Sequence, residues 1–160
     1  MKKNKQAVFK PAQTEEQKKK RIRNIIITAV ILVIASAACY FAMPKNKDLS
    51  QSSIFSQAEI EALARQTVEY INEENYDGLK DMSVEDMESI MNEERMNEAK
   101  ARVSEDWGEF KDIKDITTTE VTQRGVTAAV AYVSAEYDNA EIHFTFAFNE
   151  DMELASLGIQ

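Results

Sequence analysis

The residue in this sequence best suited to acid–base chemistry is His143, its only histidine. A Ser–His–carboxylate relay needs a hydroxyl group to activate and a carboxylate that orients the imidazole ring. The strand pairing predicted below puts Ser134 directly opposite His143, but it puts no carboxylate where it would orient the ring. We therefore predict no catalytic residue, and we interpret His143 as a hydrogen-bonded histidine of a sheet.

The acidic residues between positions 85 and 100 are the feature that could bind a metal ion. They recur at helical spacing in EDMESIMNEERMNEAK, and the sequence contains no Asp-x-Asp-x-Asp-Gly pattern of a calcium loop. Glycine-rich phosphate loops and paired cysteines are also missing from the sequence. The pattern predicts a solvated helix face, no metal site and no cofactor.

The charge of the chain is distributed unevenly. Residues 1–24 contain nine Lys or Arg residues against Glu15 and Glu16, a charge of +7, so the rest of the chain carries −16 of the total of −9. A segment that is this acidic repels nucleic acid and anionic lipid. We therefore expect no nucleic-acid partner.

Residues 25–43 form a run of 19 residues without a charged side chain. As a helix this run would span roughly 29 Å, close to the thickness of the hydrocarbon core of a bilayer. Basic residues crowd its N-terminal side, so the positive-inside rule places the N-terminus in the cytoplasm. The sequence predicts a basic cytoplasmic tail over 1–24, a single transmembrane helix over 25–43, and residues 44–160 outside the cell membrane.

Two alternatives to a membrane anchor stay open at the end of this run. Ala35-Ser36-Ala37 fits a signal-peptidase site, and cleavage there would release a secreted protein. The segment from Ser36 to Cys39 partly matches a lipoprotein processing site, in which Cys39 would be the lipid acceptor. Cys39 is the only cysteine, so the outer domain has no disulfide to stabilise it.

The residues after the membrane segment predict a linker and one α+β domain. Residues 44–53 are polar and unpatterned, which predicts a linker over 44–55, and residues 56–160 show the periodicity of a folded domain. Ser56 and Glu59 form a capping box that predicts a helix start. A second helix is predicted to start at Ser83 and to end at Gly108.

The second half of the domain shows the two-residue period of strands. Residues 126–137 and 140–148 predict a hairpin with the two-residue turn Asp138-Asn139, flanked by a weaker strand over 116–122 and a last strand over 152–159. Counting back from this turn pairs small residues with large ones along one face, such as Ala131 with Phe146. That face should lie against the helices.

The opposite face of the hairpin is the candidate ligand or interface face. It carries few charges at its centre, which is unusual for a sheet face exposed to water. We expect a homodimer, a pocket for a small ligand or another part of the chain to cover it. The residues concerned are Val130, Tyr132, Ser134, His143 and Thr145.

Three short motifs carry a resemblance to a known family. They are the segment Asn-Tyr-Asp-Gly-Leu at 75–79 after an amphipathic helix, Trp-Gly-Glu-Phe at 107–110, and Leu-Gly-Ile at 157–159. Over residues 56–160 the chain resembles a bacterial family of unknown function with the nuclear transport factor 2-like fold, whose members stand behind a membrane or lipid anchor. The resemblance implies a curved sheet around helices, a pocket and a dimer.

The resemblance leaves two function classes, because this fold serves both binding modules and enzymes. The first is a non-catalytic extracytoplasmic module at the cell envelope that binds a protein or a small ligand. The alternative is a pocket enzyme similar to the isomerases and dehydratases of this fold, with Tyr132 and His143 as the nearest counterparts of their pocket residues. We favour the first, because no acidic residue falls between these two on their face.

Overall fold

The computed structural model describes residues 15–160, and these divide into two compact units after Met43. The first unit is one helix, α1, over Glu15–Ala42. Its segment Lys18–Tyr40 is long and apolar enough to cross a membrane, and a signal sequence near an N-terminus would have the same character. The predicted helix over 25–43 is confirmed, but it begins ten residues earlier, inside the basic segment. Residues 1–14 of the predicted tail lie outside the described residues.

The second unit, Pro44–Gln160, is an α+β domain, as predicted. Its helices are α2 (Gln57–Asn72), α3 (Tyr76–Asp81), α4 (Glu85–Glu88) and α5 (Glu93–Val103). Its strands are β1 (Lys45–Asp48), β2 (Phe110–Gln123), β3 (Val126–Tyr137), β4 (Glu141–Phe148) and β5 (Leu154–Ile159). They form one antiparallel sheet in the order β1-β2-β3-β4-β5.

The hairpin of β3 and β4 has the predicted register. Ala129, Ala131, Val133 and Ala135 pair with Phe148, Phe146, Phe144 and Ile142, and all eight are at most 2% exposed. Because an alanine lies opposite most of the large side chains, the aromatic rings have room to lie under the helices. The buried face of α2 completes this core with Ile60, Ala64, Val68 and Ile71.

The predicted linker over 44–55 is wrong, because this segment belongs to the folded domain. Lys45 pairs with Thr122 at the start of β1, a 3₁₀ helix follows at Leu49–Gln51, and Leu49 and Phe55 are buried. All four side chains of β1 are exposed, so the strand shows no alternation of apolar and polar residues. For this reason the sequence pattern does not predict β1.

The predicted capping box is also wrong. Ser56 does precede α2, but its side chain makes no capping hydrogen bond. The chain is held just before this point by Ser52, whose Oγ accepts from the backbone N–H of Phe55 at 2.9 Å and donates to the carboxylate of Glu120 at 2.5 Å. A serine four residues upstream therefore fixes the entry into α2.

The helices after α2 are more divided than predicted. Asn75 begins the short helix α3, because its side chain accepts from the backbone N–H of Gly78 at 3.0 Å. The helix predicted to run from Ser83 to Gly108 is interrupted between Glu88 and Glu93, and it ends at Val103. Asn92 caps the start of α5 by accepting from the N–H of Arg95. Asparagine favours helix starts because its side chain can replace the missing backbone acceptor.

Candidate functional site

The residues predicted to form a ligand or interface face lie on the outer side of the sheet, opposite the core. Tyr132 pairs with Thr145, and Ser134 pairs with His143. Val130, the fifth of them, lies two residues before Tyr132 and so faces the same side. Tyr132 keeps 49% of its surface exposed.

The neighbouring strands extend this outer face with small and hydroxyl-bearing residues. Thr117 of β2 pairs with Tyr132 on one side, and Gly158 of β5 pairs with Thr145 on the other. A second row joins Thr119, Val130, Ala147 and Ser156. We call the surface of these two rows, together with Ser134 and His143, the outer face. The two rows, which form its centre, carry no acidic or basic side chain. Beside them, in the row of Ser134 and His143, Asp115 of β2 pairs with Ser134 and accepts from Thr117 Oγ1 at 3.0 Å.

Charged groups border the outer face near the β3–β4 turn. Glu136 lies opposite Glu141, a pairing that is unfavourable by itself. The structure relieves it, because Glu136 forms an ion pair with Lys114 and Glu141 accepts a hydrogen bond from Ser134 Oγ at 2.7 Å. The Ser134 hydroxyl therefore donates to a carboxylate and not to His143, so these residues do not form the geometry of a relay.

A second concave region lies at the edge of the core side of the domain. Two adjoining cavities of about 440 Å³ each share Asn72 and Phe110 in their walls. We call them together the cleft. Lys100, Trp107 and Tyr137 line the first cavity, and the second is lined by residues of α2 and the start of β2. No motif or spacing in the sequence indicates a function for these residues, and Trp107 and Phe110 contribute only to the family resemblance.

Aromatic side chains form the floor of the cleft. The ring of Tyr137 packs edge-on against Trp107, with centroids 5.1 Å apart, and against Phe110, with centroids 5.5 Å apart. Tyr137 Oη donates to Asn72 Oδ1 at 2.6 Å, and burial raises the pKa of Tyr137 to about 12. Phe110 stands between the two cavities and is 39% exposed. The cleft thus offers an aromatic surface to a ligand.

Lys100 of α5 is the cation of the first cavity. Its Nζ donates to the carbonyl oxygen of Ile71 at 3.2 Å and lies 5.8 Å from the centre of the Trp107 ring. Among the described residues no carboxylate lies within ion-pair distance of this ammonium group. Burial lowers the pKa of Lys100, and the charge of Glu74 partly opposes this shift.

The segment that carries Trp107 is bound to the β3–β4 turn. The Asp106 carboxylate accepts from the backbone N–H of Gly108 and from the side-chain amide of Asn139, each at 2.9 Å. The N–H of Asn139 in turn donates to the carbonyl of Trp107 at 2.9 Å. Gly108 has φ of +73°, a conformation that favours glycine. These contacts position the indole ring in the wall of the cleft.

The described residues contain no group of three or more His, Cys, Asp or Glu side chains that could hold a metal ion. Cys39, the possible lipid acceptor, lies in α1 and is exposed.

Comparison with known proteins gives a family and a fold. The family described as "Protein of unknown function (DUF3887)" matches residues 64–157. The structure of a protein from Ruminococcus gnavus ATCC 29149, determined by NMR, is similar with a TM-score of 0.59 and 21% sequence identity, over 71% of this chain and 97% of that one. No curated protein sequence matches the chain.

Proposed function

Because this chain belongs to the DUF3887 family, whose description assigns no activity, we propose a function from its own geometry. It is a non-catalytic binding module on the outer side of the cell membrane, anchored by α1, and it acts as a homodimer through the outer face. The observation that carries this proposal is the exposed, nearly uncharged centre of a sheet face in a strongly acidic domain.

Electrostatics favours this face as the contact between two copies. Residues outside the basic segment carry a charge of −16, so two copies repel each other over most of their surfaces. The repulsion is weakest where both surfaces are neutral, and a twofold axis lets one patch serve both subunits. Tyr132 suits the centre of such a contact, because its ring is apolar and its hydroxyl group can bond across the interface.

Membrane anchoring supports the same proposal. The segment Lys18–Tyr40 has the length and composition of a membrane span, and basic residues precede it. Two copies held in one membrane plane meet at a much higher effective concentration than free copies would. A face of modest affinity is then sufficient for dimerisation.

We further propose that the domain has the cone shape of the nuclear transport factor 2-like fold. Support comes from the packing of α2 on the aromatic face of the β3–β4 hairpin and from the register shifts at the start of β2. Such bulges bend a sheet.

The orientation in the membrane is tested with an external protease. We expect protease added to intact cells to digest residues 44–160 and to leave a small basic fragment in the membrane, because the N-terminal flank holds the positive charges. Permeabilised cells serve as the control, in which this fragment is digested as well. Recovery of the intact domain from the culture medium would contradict the anchor, and lipid labelling that a Cys39→Ala substitution abolishes would favour the lipoprotein alternative.

The dimer is tested with Tyr132→Glu. We expect this substitution in the fragment 44–160 to raise the dissociation constant of the dimer by at least roughly 100-fold, since an unpaired charge buried in a contact costs about 3 kcal/mol or more. Light scattering over a concentration series measures the change, and circular dichroism checks the fold.

The matched control adds the same charge on the helical side of the domain. Ile90 is 43% exposed, and Ile90→Glu should leave the dimer unchanged. An unsubstituted fragment that stays monomeric at high concentration would refute the homodimer.

A further inference from the structure

The first cavity of the cleft contains a cation, Lys100, that has no ion-pair partner among the described residues. Lys100 Nζ is half-buried and has one neutral hydrogen-bond acceptor, the carbonyl of Ile71. The ion pairs among the described residues join exposed side chains instead, such as Lys111 and Asp138 at 2.8 Å. A partly desolvated ammonium group gains most from an anionic partner, because its lost hydration is then replaced.

The hydrogen bond from Lys100 to Ile71 has a structural role, and it uses only part of the donor capacity of the ammonium group. Ile71 lies in the last turn of α2, where backbone carbonyl groups lack helical partners, so Lys100 helps to satisfy the end of this helix. An ammonium group has three donors, and one serves this carbonyl. In the same wall, the buried indole N–H of Trp107 has no acceptor among the described residues. This wall therefore holds two groups whose donor capacity the described residues leave unused.

The remainder of the cleft is suited to an apolar group. Phe110 lines both cavities and exposes 39% of its surface. Val68 and Ile113 form the apolar part of the second cavity beside it, whose other lining residues are Asn72 and the charged Arg65, Glu69, Glu73 and Asp112. Each cavity, at about 440 Å³, is within the range of small-ligand sites. An arm placed against Phe110 would lie close to the first cavity and hence to Lys100.

From this arrangement we infer that the cleft binds a small organic carboxylate with an apolar or aromatic arm. The carboxylate pairs with Lys100 Nζ, and the arm packs against Phe110 and the apolar wall of the second cavity. Carboxylates also line the cleft, Glu105 and Asp106 in the first cavity and Glu69, Glu73 and Asp112 in the second. None of the five lies within ion-pair distance of Lys100, and Asp106 already accepts from Gly108 and Asn139. This site is separate from the outer face and does not depend on the dimer.

Trp107 makes the inference directly measurable, since it is the only tryptophan of the chain and lines the cleft. We would titrate the full chain in non-ionic detergent micelles with hydrocinnamate and follow the tryptophan fluorescence. The neutral isostere hydrocinnamamide is titrated in parallel. We expect a saturable change with hydrocinnamate and at least roughly tenfold weaker binding of the amide, because a charge-assisted hydrogen bond is lost.

Three variants separate the role of the ammonium group from that of net charge. Lys100→Gln should weaken hydrocinnamate binding by at least roughly tenfold and leave the amide unchanged, and Lys100→Arg should restore most of the binding. Lys45→Gln removes the same charge from exposed β1, beside Thr122 at the far end of β2, and should have no effect. Urea unfolding of each variant checks that the domain is folded.

Each remaining outcome contradicts the inference. Equal binding of the acid and the amide would show that the cleft does not select a carboxylate. Unchanged binding by Lys100→Gln would exclude this ammonium group as the partner. A lack of any saturable response to hydrocinnamate would refute the ligand class, while the outer-face dimer, measured by light scattering, would be untouched by that result.

Discussion

Replacing Leu49 with alanine is expected to lower the free energy of unfolding of the domain by about 2–5 kcal/mol, the usual cost of truncating a buried leucine. Leu49 is 2% exposed and belongs to the core cluster, although it stands in a polar segment. The loss has two parts, the transfer of the removed methyl groups and the cavity that they leave. Leu49 directly follows β1 in the chain. The substitution therefore also removes the buried side chain that holds this edge strand against the core.

Urea unfolding of the full chain in detergent micelles measures this effect, followed by the fluorescence of Trp107. The single tryptophan lies in the domain and is 8% exposed, so the signal does not depend on α1. Ile54→Ala is the matched control, because Ile54 lies in the same segment but is 43% exposed; its effect should stay below about 1 kcal/mol. Equal and small effects of both substitutions would mean that residues 44–55 are a linker after all.

The second large effect is expected for Gly108→Ala, which should destabilise the domain by roughly 2–5 kcal/mol. Two costs add here. A left-handed residue with a Cβ atom is disfavoured by about 1–2 kcal/mol, and Gly108 has φ of +73°. A Cβ atom would also lie 2.5 Å from Cβ of Asp138, so the loop or the β3–β4 turn has to move.

Gly125→Ala separates the cost of the left-handed conformation from the cost of the steric contact, since Gly125 has the conformation but lacks the contact. Gly125 has φ of +83° in the two-residue turn between β2 and β3, and an added Cβ atom would meet nothing within 4 Å. We expect a loss of about 1–2 kcal/mol there, again measured by urea unfolding. Equal losses for the two alanines would show that the contact with Asp138 relaxes without cost. The Gly108 substitution should also weaken ligand binding in the cleft, because it displaces Trp107.

The sequence by itself determined the hairpin of β3 and β4 and the apolar helix α1. The hairpin follows from three local signals that agree: a two-residue period, small residues opposite large ones, and a turn at Asp138-Asn139. A shift of one residue would move every phenylalanine of β4 from the core to water, so a single register is possible. The helix α1 follows from the uncharged run over 25–43, since a stretch of this length satisfies its backbone polar groups in lipid only as a helix.

Tertiary structure decided the elements whose side chains carry no such pattern. The four exposed residues of β1 are held by hydrogen bonds between backbones, and backbone groups are the same in every residue, so no period marks this strand. The division of the helices at Asn92 depended on an asparagine that can cap a helix or simply lie within one.

The cleft, too, could not be predicted from patterns in the sequence. Lys100, Trp107 and Phe110 lie in one segment, 100–110, but Asn72 at the end of α2 and Tyr137 at the end of β3 are distant from it along the chain. Only packing brings these three parts of the chain together. The burial of Lys100 without an ion-pair partner is a property of that packing, since a lysine on a solvated helix would have the same sequence neighbours. What a side chain can bind depends on its burial and on its partners in space, and those are fixed only when the helices and the sheet have packed.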